Sequence, residues 1–412
     1  MSNVPKLRFP EFSGEWAGKC IADVTLSLDY GLNSAAIPYD GINQYLRITD
    51  IDEATRTYTT GSRVSPDGSL DDHYLLKEGD ILFARTGAST GKSFYYTSKY
   101  GKMYFAGYLI RLRLCSGVSS KYLYYNTLTK KYRTWVKTMS MRSGQPGINA
   151  KEYGLYQLGF PSKDEQTKIA DLLTLIDKKI AKQDEKVAAL EEYKKGLMQK
   201  IFSREIRFKD DNGKDYPEWG EVKLGEVGTT YGGLSNKTKN DFGLGSKKYI
   251  TYMNVFNNTI AAPDLVESVK IGPAENQNPV AYGDILFTTS SETPDEVGMS
   301  SVWLGNSNEI YLNSFCFGYR LYDPKLFDPY FMAYLLRAPE TRKAITIFSQ
   351  GSTRFNLSKL SLMKMQIKIP IKAEQTKIAN FLSLYDRKIE KEKAKLEALR
   401  EQKKGLLQQM FV

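Results

Sequence analysis

Glu165-Gln166-Thr167-Lys168-Ile169-Ala170 recurs letter for letter as Glu374-Gln375-Thr376-Lys377-Ile378-Ala379, 209 positions further on. The copies stay in step beyond the hexapeptide, Leu173 with Leu382, Asp177 with Asp386 and Lys179-Ile180 with Lys388-Ile389. They close alike, Lys194-Lys195-Gly196-Leu197 against Lys403-Lys404-Gly405-Leu406. A duplication this clean means two equivalent units in one polypeptide. Steps of four and three through the first copy pick out Ile169, Leu173, Ile176, Ile180, Val187, Leu190, Leu197 and Ile201. Through the second they pick out Ile378, Leu382, Tyr385, Ile389, Leu396, Leu399, Leu406 and Met410. That alternation is the seam of a coiled coil. Polar residues break it at the same places, Gln183 and Lys194 in one copy and Glu392 and Lys403 in the other. Each run predicts a helix of about 37 residues, roughly 55 Å long at 1.5 Å per residue. An antiparallel pairing is expected, because a parallel one would need the whole second domain to carry the chain back along the helix. Such a pair is either a plain dimerisation module or a ruler that fixes domain spacing; the in-register duplication favours the ruler.

Upstream of each helix lies a stretch with little shared sequence beyond anchor points. Leu7-Arg8-Phe9 and Trp16 match Ile206-Arg207-Phe208 and Trp219, and Tyr45-Leu46 matches Tyr249-Ile250. Gly79-Asp80-Ile81-Leu82-Phe83 matches Gly283-Asp284-Ile285-Leu286-Phe287. Gly144 and Asn149 match Gly351 and Asn356 at equal internal spacing, and Pro161 and Pro370 end the stretches. The expected organisation is a variable domain over 1–163, a helix over 164–203, a second variable domain over 204–372 and a second helix over 373–412. Short strand-like runs between turns, with helical stretches at Lys121 to Lys137 and Pro329 to Phe348, give each domain an α+β reading. Its sheet is expected to be mainly antiparallel, with barrel-like closure an open option.

Composition narrows the chemistry. A chain of 412 residues with 41% hydrophobic and 25% charged content suits a soluble protein of two or three domains. Met1 to Phe12 hold no apolar run of signal-peptide type and no stretch nears membrane-spanning length, so a cytoplasmic location is expected. Three scattered cysteines, Cys20, Cys115 and Cys316, fit a reducing compartment and argue against a structural metal site. The single histidine, His73, lies in the polar run Asp72-His73-Tyr74, and the second half has none, which excludes a histidine-based catalytic device in both halves. A net charge of +11 favours a polyanionic partner.

Three motif look-alikes fail on their own terms. Gly87-Ala88-Ser89-Thr90-Gly91-Lys92-Ser93 is one residue short of a phosphate-binding loop and leads into a strand-like run, not a helix. Arg85, Thr86 and Lys92 of that turn read better as contacts to a nucleic-acid backbone. Asp328-Pro329-Tyr330-Phe331 lacks the second proline of the methyltransferase tetrapeptide, and Pro329 reads as the first residue of a helix. Glu221-Val222-Lys223 has the acid-x-lysine form of metal-dependent nucleases without a supporting aspartate, and reads as a strand edge. The polar loops Arg142-Ser143-Gly144-Gln145-Pro146-Gly147-Ile148-Asn149 and Ser349-Gln350-Gly351-Ser352-Thr353-Arg354-Phe355-Asn356 remain. They carry side chains that pair with base edges or phosphates. Arg142, Gln145 and Arg354 are candidate DNA contacts; Asn149 and Asn356 are equally readable as contacts or as turn caps. Where the first half has Arg85-Thr86-Gly87, the second has Thr289-Ser290-Ser291, so Ser290 and Ser291 complete the candidate set.

Taken in order, the tryptophans, the Gly-Asp-Ile-Leu-Phe runs, the Gly-to-Asn loops and the duplicated Glu-Gln-Thr-Lys-Ile-Ala helices resemble the specificity subunits of type I restriction–modification enzymes, over essentially the whole chain. The resemblance implies two target-recognition domains, each reading one half of an asymmetric, interrupted DNA site. It implies helices that separate them and dock two modification subunits, with restriction subunits added. It assigns S-adenosylmethionine, ATP and Mg²⁺ to those partners and no cofactor, metal or catalytic residue to this chain. The contrasting expectation is a stand-alone DNA-modifying or DNA-cleaving enzyme.

Overall fold

The computed structural model describes residues 3–59, 61, 63–142, 144–306, 309–349, 351 and 353–412. The chain forms two compact units, Met1–Asp184 with Ala394–Val412, and Glu185–Lys393. Each unit therefore holds one variable domain, half of the first long helix, Lys163–Phe202, and half of the second, Lys372–Gln409.

In the first unit a four-stranded antiparallel sheet runs in the order Thr25–Tyr30, Leu109–Leu114, Ile81–Ala84, Ser93–Tyr95. The second unit repeats that order with Gly228–Gly232, Cys316–Leu321, Ile285–Thr288 and Ser300–Val302. These sheets are open, not closed into barrels. Parallel pairs also occur, Gln44–Leu46 with Met103–Phe105 and Lys248-Tyr249-Ile250 with Ile310–Leu312. Each helical stretch expected from the sequence is two helices, Ser120–Asn126 and Lys130–Met139 in one domain, Pro329–Leu335 and Pro339–Ile347 in the other. Thr129 caps the second helix of the first domain, accepting from Tyr132 N. Pro339, which has no N–H for a continuing helix, starts the second helix of the other domain. Asp328 accepts from Tyr330 N and Phe331 N, so Pro329 does open a helix. Glu221 lies in strand Gly220–Lys223, paired with Gln366–Ile369, and meets Lys368 at 3.4 Å.

The long helices enter the domain cores. Ile169, Leu173, Leu407, Met410 and Phe411 join Trp16, Ile81, Phe83, Tyr122 and Leu158 in one core. Ile201, Phe202, Ile378 and Leu382 join Trp219, Ile285, Phe287 and Phe331 in the other. Along the seam Ile176, Val187, Ile389 and Leu396 are buried, while Ile180, Leu190, Leu197, Tyr385, Leu399 and Leu406 are half-buried. Within each unit the helix halves run antiparallel. In the first unit Asp177 meets Lys403 at 2.6 Å and Asp184 meets Arg400 at 3.3 Å. In the second, Lys186 meets Glu392 at 3.0 Å and Lys194 meets Asp386. Among the described residues no helix is long and apolar enough to cross a membrane.

The Glu-Gln of the repeated hexapeptide fastens each helix to its domain. Glu165 is buried and receives Arg8 Nε and Nη2, both at 2.8 Å. Gln166 accepts Ser119 N at 3.0 Å and donates to Pro161 O at 3.0 Å. The second copy repeats this: Arg207 donates to buried Glu374, and Gln375 accepts Asp328 N at 2.9 Å and donates to Pro370 O at 2.9 Å. Removing one partner strands a buried carboxylate, which costs far more than an exposed pair does. Arg8→Ala should therefore lower stability by about 3 kcal/mol in urea denaturation. The exposed pair at Arg400 should contribute under about 1 kcal/mol when Arg400 is replaced by alanine.

Candidate nucleic-acid interface

The turn after each Gly-Asp-Ile-Leu-Phe strand is the hub of a polar surface. Asp80 first fixes the entry to that strand, accepting Lys77 N at 2.8 Å and holding Arg113 with two bonds of 2.9 and 2.7 Å. Asp284 does the same with Ala281 N at 2.8 Å and Arg320 at 2.8 and 2.6 Å. Gly79 and Gly283 precede these aspartates with φ of 88° and 84°, a left-handed turn that a side chain would strain. Beyond the strand, Arg85 O accepts Ile148 N at 2.9 Å and Thr86 bridges Gly147. In the second unit Thr289 O accepts Leu357 N at 2.9 Å, and Ser290–Ser291 pairs antiparallel with Phe355–Asn356. Two unlike sequences thus build one junction, in which the turn is tied to the polar loop before the last short helix.

This junction corrects the loop alignment. Ile81 and Ile285 are 204 positions apart, but from Ser119 and Asp328 onward the framework offset is 209 throughout. Asn149 caps helix Ala150–Gly154, and the residue in its place is Ser358, which caps Lys359–Lys364. Asn356 therefore corresponds to Gly147, not to Asn149, and Arg354 corresponds to Gln145. The equal Gly-to-Asn spacing is coincidental.

The candidate residues fall into distinct roles. Asn149 accepts Glu152 N at 2.9 Å while Glu152 accepts Asn149 N at 2.8 Å, a reciprocal helix cap. Arg142 grips the same carboxylate at 2.8 and 2.7 Å and reaches Gly147 O at 3.1 Å, so it braces the loop. The Asn149 amide, with help from Arg142, holds the Glu152 carboxyl below the ordinary range. Lys92 does not face solvent as a backbone contact would. Its ammonium is buried, donates to Ile51 O at 2.9 Å and lies 3.0 Å from Glu53, because the turn folds back as the hairpin into Ser93–Tyr95. Arg85 is half-buried, with its guanidinium 5.0 Å from the centre of the Tyr30 ring, and its Nε has no hydrogen-bond partner. Thr86 is half-buried and Gln145 exposed. Ser290 is buried and its carbonyl accepts Tyr252 Oη at 3.0 Å; half-buried Ser291 faces Thr293 at 3.3 Å. Arg354 is exposed, and Asn356 donates to Arg354 O at 3.1 Å. Ser143, Gln350 and Ser352 of the quoted loops lie outside the described residues.

Tyr30 and Tyr108 lie beside Arg85, and Tyr252 and Phe315 beside Thr289 and Ser290, outside every motif in the sequence. Their neighbourhoods, Ala106-Gly107-Tyr108-Leu109 and Asn313-Ser314-Phe315-Cys316, share no letters, so no motif marks them. The Asn149-x-x-Glu152 cap was legible as a helix-start signature. Among the described residues no group of three or more histidine, cysteine, aspartate or glutamate side chains is placed to hold a metal ion.

Residues 50–192 and 216–401 match the type I restriction modification DNA specificity domain, and the chain belongs to that family. It is similar to the MjaVIII type I restriction enzyme specificity subunit of Methanocaldococcus jannaschii, at 24% identity over 347 residues covering 81% of this chain and 78% of the relative. Its fold is similar to that of the type I restriction-modification S subunit from M. genitalium, with a TM-score of 0.55, 14% identity and 99% of each chain covered. It is also similar to a chain from a structure of complex assembly and conformational transition in the type I R-M system, with a TM-score of 0.60, 16% identity, 96% of this chain and 97% of that one. Its role is that of a DNA specificity subunit, a non-catalytic component of a restriction–modification complex.

The contrast between Lys92 and Arg354 is testable. Lys92→Ala should lower stability by about 1.5–3 kcal/mol, the scale of a lost buried hydrogen bond to a charged group, and leave DNA affinity unchanged. Arg354→Ala should leave the melting temperature unchanged and weaken DNA binding by about 1–3 kcal/mol. Melting curves and fluorescence-anisotropy titrations on both variants check this.

Proposed function

We propose that each domain reads one half of an asymmetric, interrupted DNA sequence, and that the long helices set the spacing between the half-sites and dock two modification subunits. The observation that carries the reading is the repeated junction. The same strand, turn and capped helix recur in both units, while the side chains mounted there differ: Arg85, Thr86 and Gln145 in one, Ser290, Arg354 and Asn356 in the other. A common frame with different donors and acceptors is what reading two different base sequences requires. The net charge of +11 adds sequence-independent attraction to the backbone.

In this reading the modification subunits carry S-adenosylmethionine and methylate adenine. Restriction subunits use ATP and Mg²⁺ for translocation and cleavage, and the assembly works in the cytoplasm. Gly196 and Gly405, the lysine pairs before them, and exposed charges such as Lys179 and Lys388, Lys182 and Lys391, and Glu192 and Glu401 repeat at equivalent positions, which supports two like partners.

Exchanging residues 1–163 for the corresponding domain of another family member should change one half of the methylated sequence and leave the other intact. Methylation mapping in the host reads this directly; a change in both halves would show that the domains do not read DNA separately. The spacing role has its own test. One heptad inserted after Val187 and one after Leu396 keeps both seams in phase and lengthens each helix by about 10 Å. That is roughly three base pairs at 3.4 Å each. Selection from duplexes of varied spacer should shift to longer spacers with both half-sites unchanged; retention of the original spacer would remove the helices from that role.

A further inference from the structure

Two solvent-exposed aromatic rings stand at matching places in the two units. Tyr108 is 63% exposed and Phe315 is 62% exposed. Each is the third residue of a tight turn closed by a backbone hydrogen bond, Leu109 N to Ala106 O at 2.8 Å and Cys316 N to Asn313 O at 3.0 Å. Each turn is bolted to the polar junction through the aromatic residue's own carbonyl: Arg85 N donates to Tyr108 O and Thr289 N to Phe315 O, both at 3.0 Å. The backbones are thus fixed while the rings project. Leu26, Met141, Tyr193 and Ile347 are also exposed, but none is bound to the junction in this way.

The surroundings suit a nucleic acid. Beside Tyr108 lies a recess of about 520 Å³, lined among others by Tyr30, Asn33, Arg47 and Arg85. Arg85 Nε in that wall has no hydrogen-bond partner. In the second unit the junction beside Phe315 carries exposed Arg354 and Asn356. A ring next to an arginine offers apolar contact to a base and charge to its phosphate, the pairing used by side chains that wedge into or stack on base steps.

We propose that Tyr108 and Phe315 are the paired base-contacting aromatics of this subunit, each laid against a base step of the half-site its domain reads. The proposal rests on the half-site reading above. It adds that part of specificity comes from ring contact and base-step deformability, not from hydrogen bonds alone.

The test uses the full chain with its modification subunits on duplexes carrying the sequence that the complex methylates in its host, with neither, one or the other half scrambled. Wild-type protein must prefer the intact duplex; without that preference the half-site reading itself fails, and the proposal with it. Given that preference, Tyr108→Ala should bind the intact duplex about tenfold more weakly, and Phe315→Ala likewise. Each loss should shrink to under about twofold when the matching half is scrambled, since the ring then has no preferred step to meet. Tyr108→Phe should stay within about twofold of wild type, because it keeps the ring. Neither alanine variant removes a charge, so the dependence of binding on salt should not change. Melting curves should match wild type, as both rings are exposed. Unchanged affinity in both alanine variants, or losses equal on all three duplexes, would overturn the proposal.

Discussion

One three-way contact occurs twice. In the first unit Asp177 of the first long helix accepts Tyr125 Oη from the domain at 2.8 Å and pairs with Lys403 of the second helix, whose ammonium lies 5.6 Å from the centre of the Tyr125 ring. In the second unit Asp386 accepts Tyr334 Oη and pairs with Lys194, which lies 4.9 Å from the centre of the Tyr334 ring. The helices have exchanged parts. Because the copies are equivalent, an in-register parallel pairing would set Lys194 against Lys403 and Asp177 against Asp386, like charge against like. The antiparallel pairing satisfies both contacts. Burial comes first in pushing the Tyr125 phenol above its ordinary value, with the Asp177 charge adding to it, so the phenol stays a donor. These pairs are partly exposed and add little net stability. Their consequence is direction and register; burial of seam residues such as Leu173, Ile176, Leu382 and Ile389 supplies the stability.

Fixing the helices in this way frees the domains. Their cores take in the helix ends, the buried Glu-Gln pair fixes where each helix begins, and the sheet order follows. The junction at Thr86 or Ser290 sits at the far end of a strand whose entry is held by Asp80–Arg113 or Asp284–Arg320. Residues on the junction can then differ between the halves without disturbing the frame. The second domain adds further bracing of its own. Arg337 donates to four backbone carbonyls, of Ser300, Val255, Phe256 and Asn258, and Arg342 ties down the segment Asp295–Gly298. Burial lowers both guanidinium groups to about 10, and each stays charged at neutral pH.

Sequence revealed the frame far better than the surface. The helices were legible because identity and a period of three and four coincide from Glu165 and from Glu374, and because prolines mark their approach. Loops follow no such period. The Gly144-to-Asn149 spacing recurs at Gly351 and Asn356, yet hydrogen bonding puts Ser358 in the place of Asn149. Lys92 reads as a free cation beside two glycines, and only its folding against Ile51 and Glu53 removes it from the surface. Arg142 is held by a carboxylate ten residues on, a distance no local rule covers. Tyr108 and Phe315 are plain aromatics in unlike sequences, and the shared carbonyl contact with the turn after each Gly-Asp-Ile-Leu-Phe strand is what makes them equivalent.

In the proposed function the two units read DNA as separate halves. The most direct measurement is the methylome of a host that expresses this chain with its modification partner and lacks other adenine methylation. Separate reading predicts a single methylated motif made of two short specified segments that differ in sequence and are separated by a fixed run of unspecified bases. A continuous motif, or two identical half-sites, would contradict it.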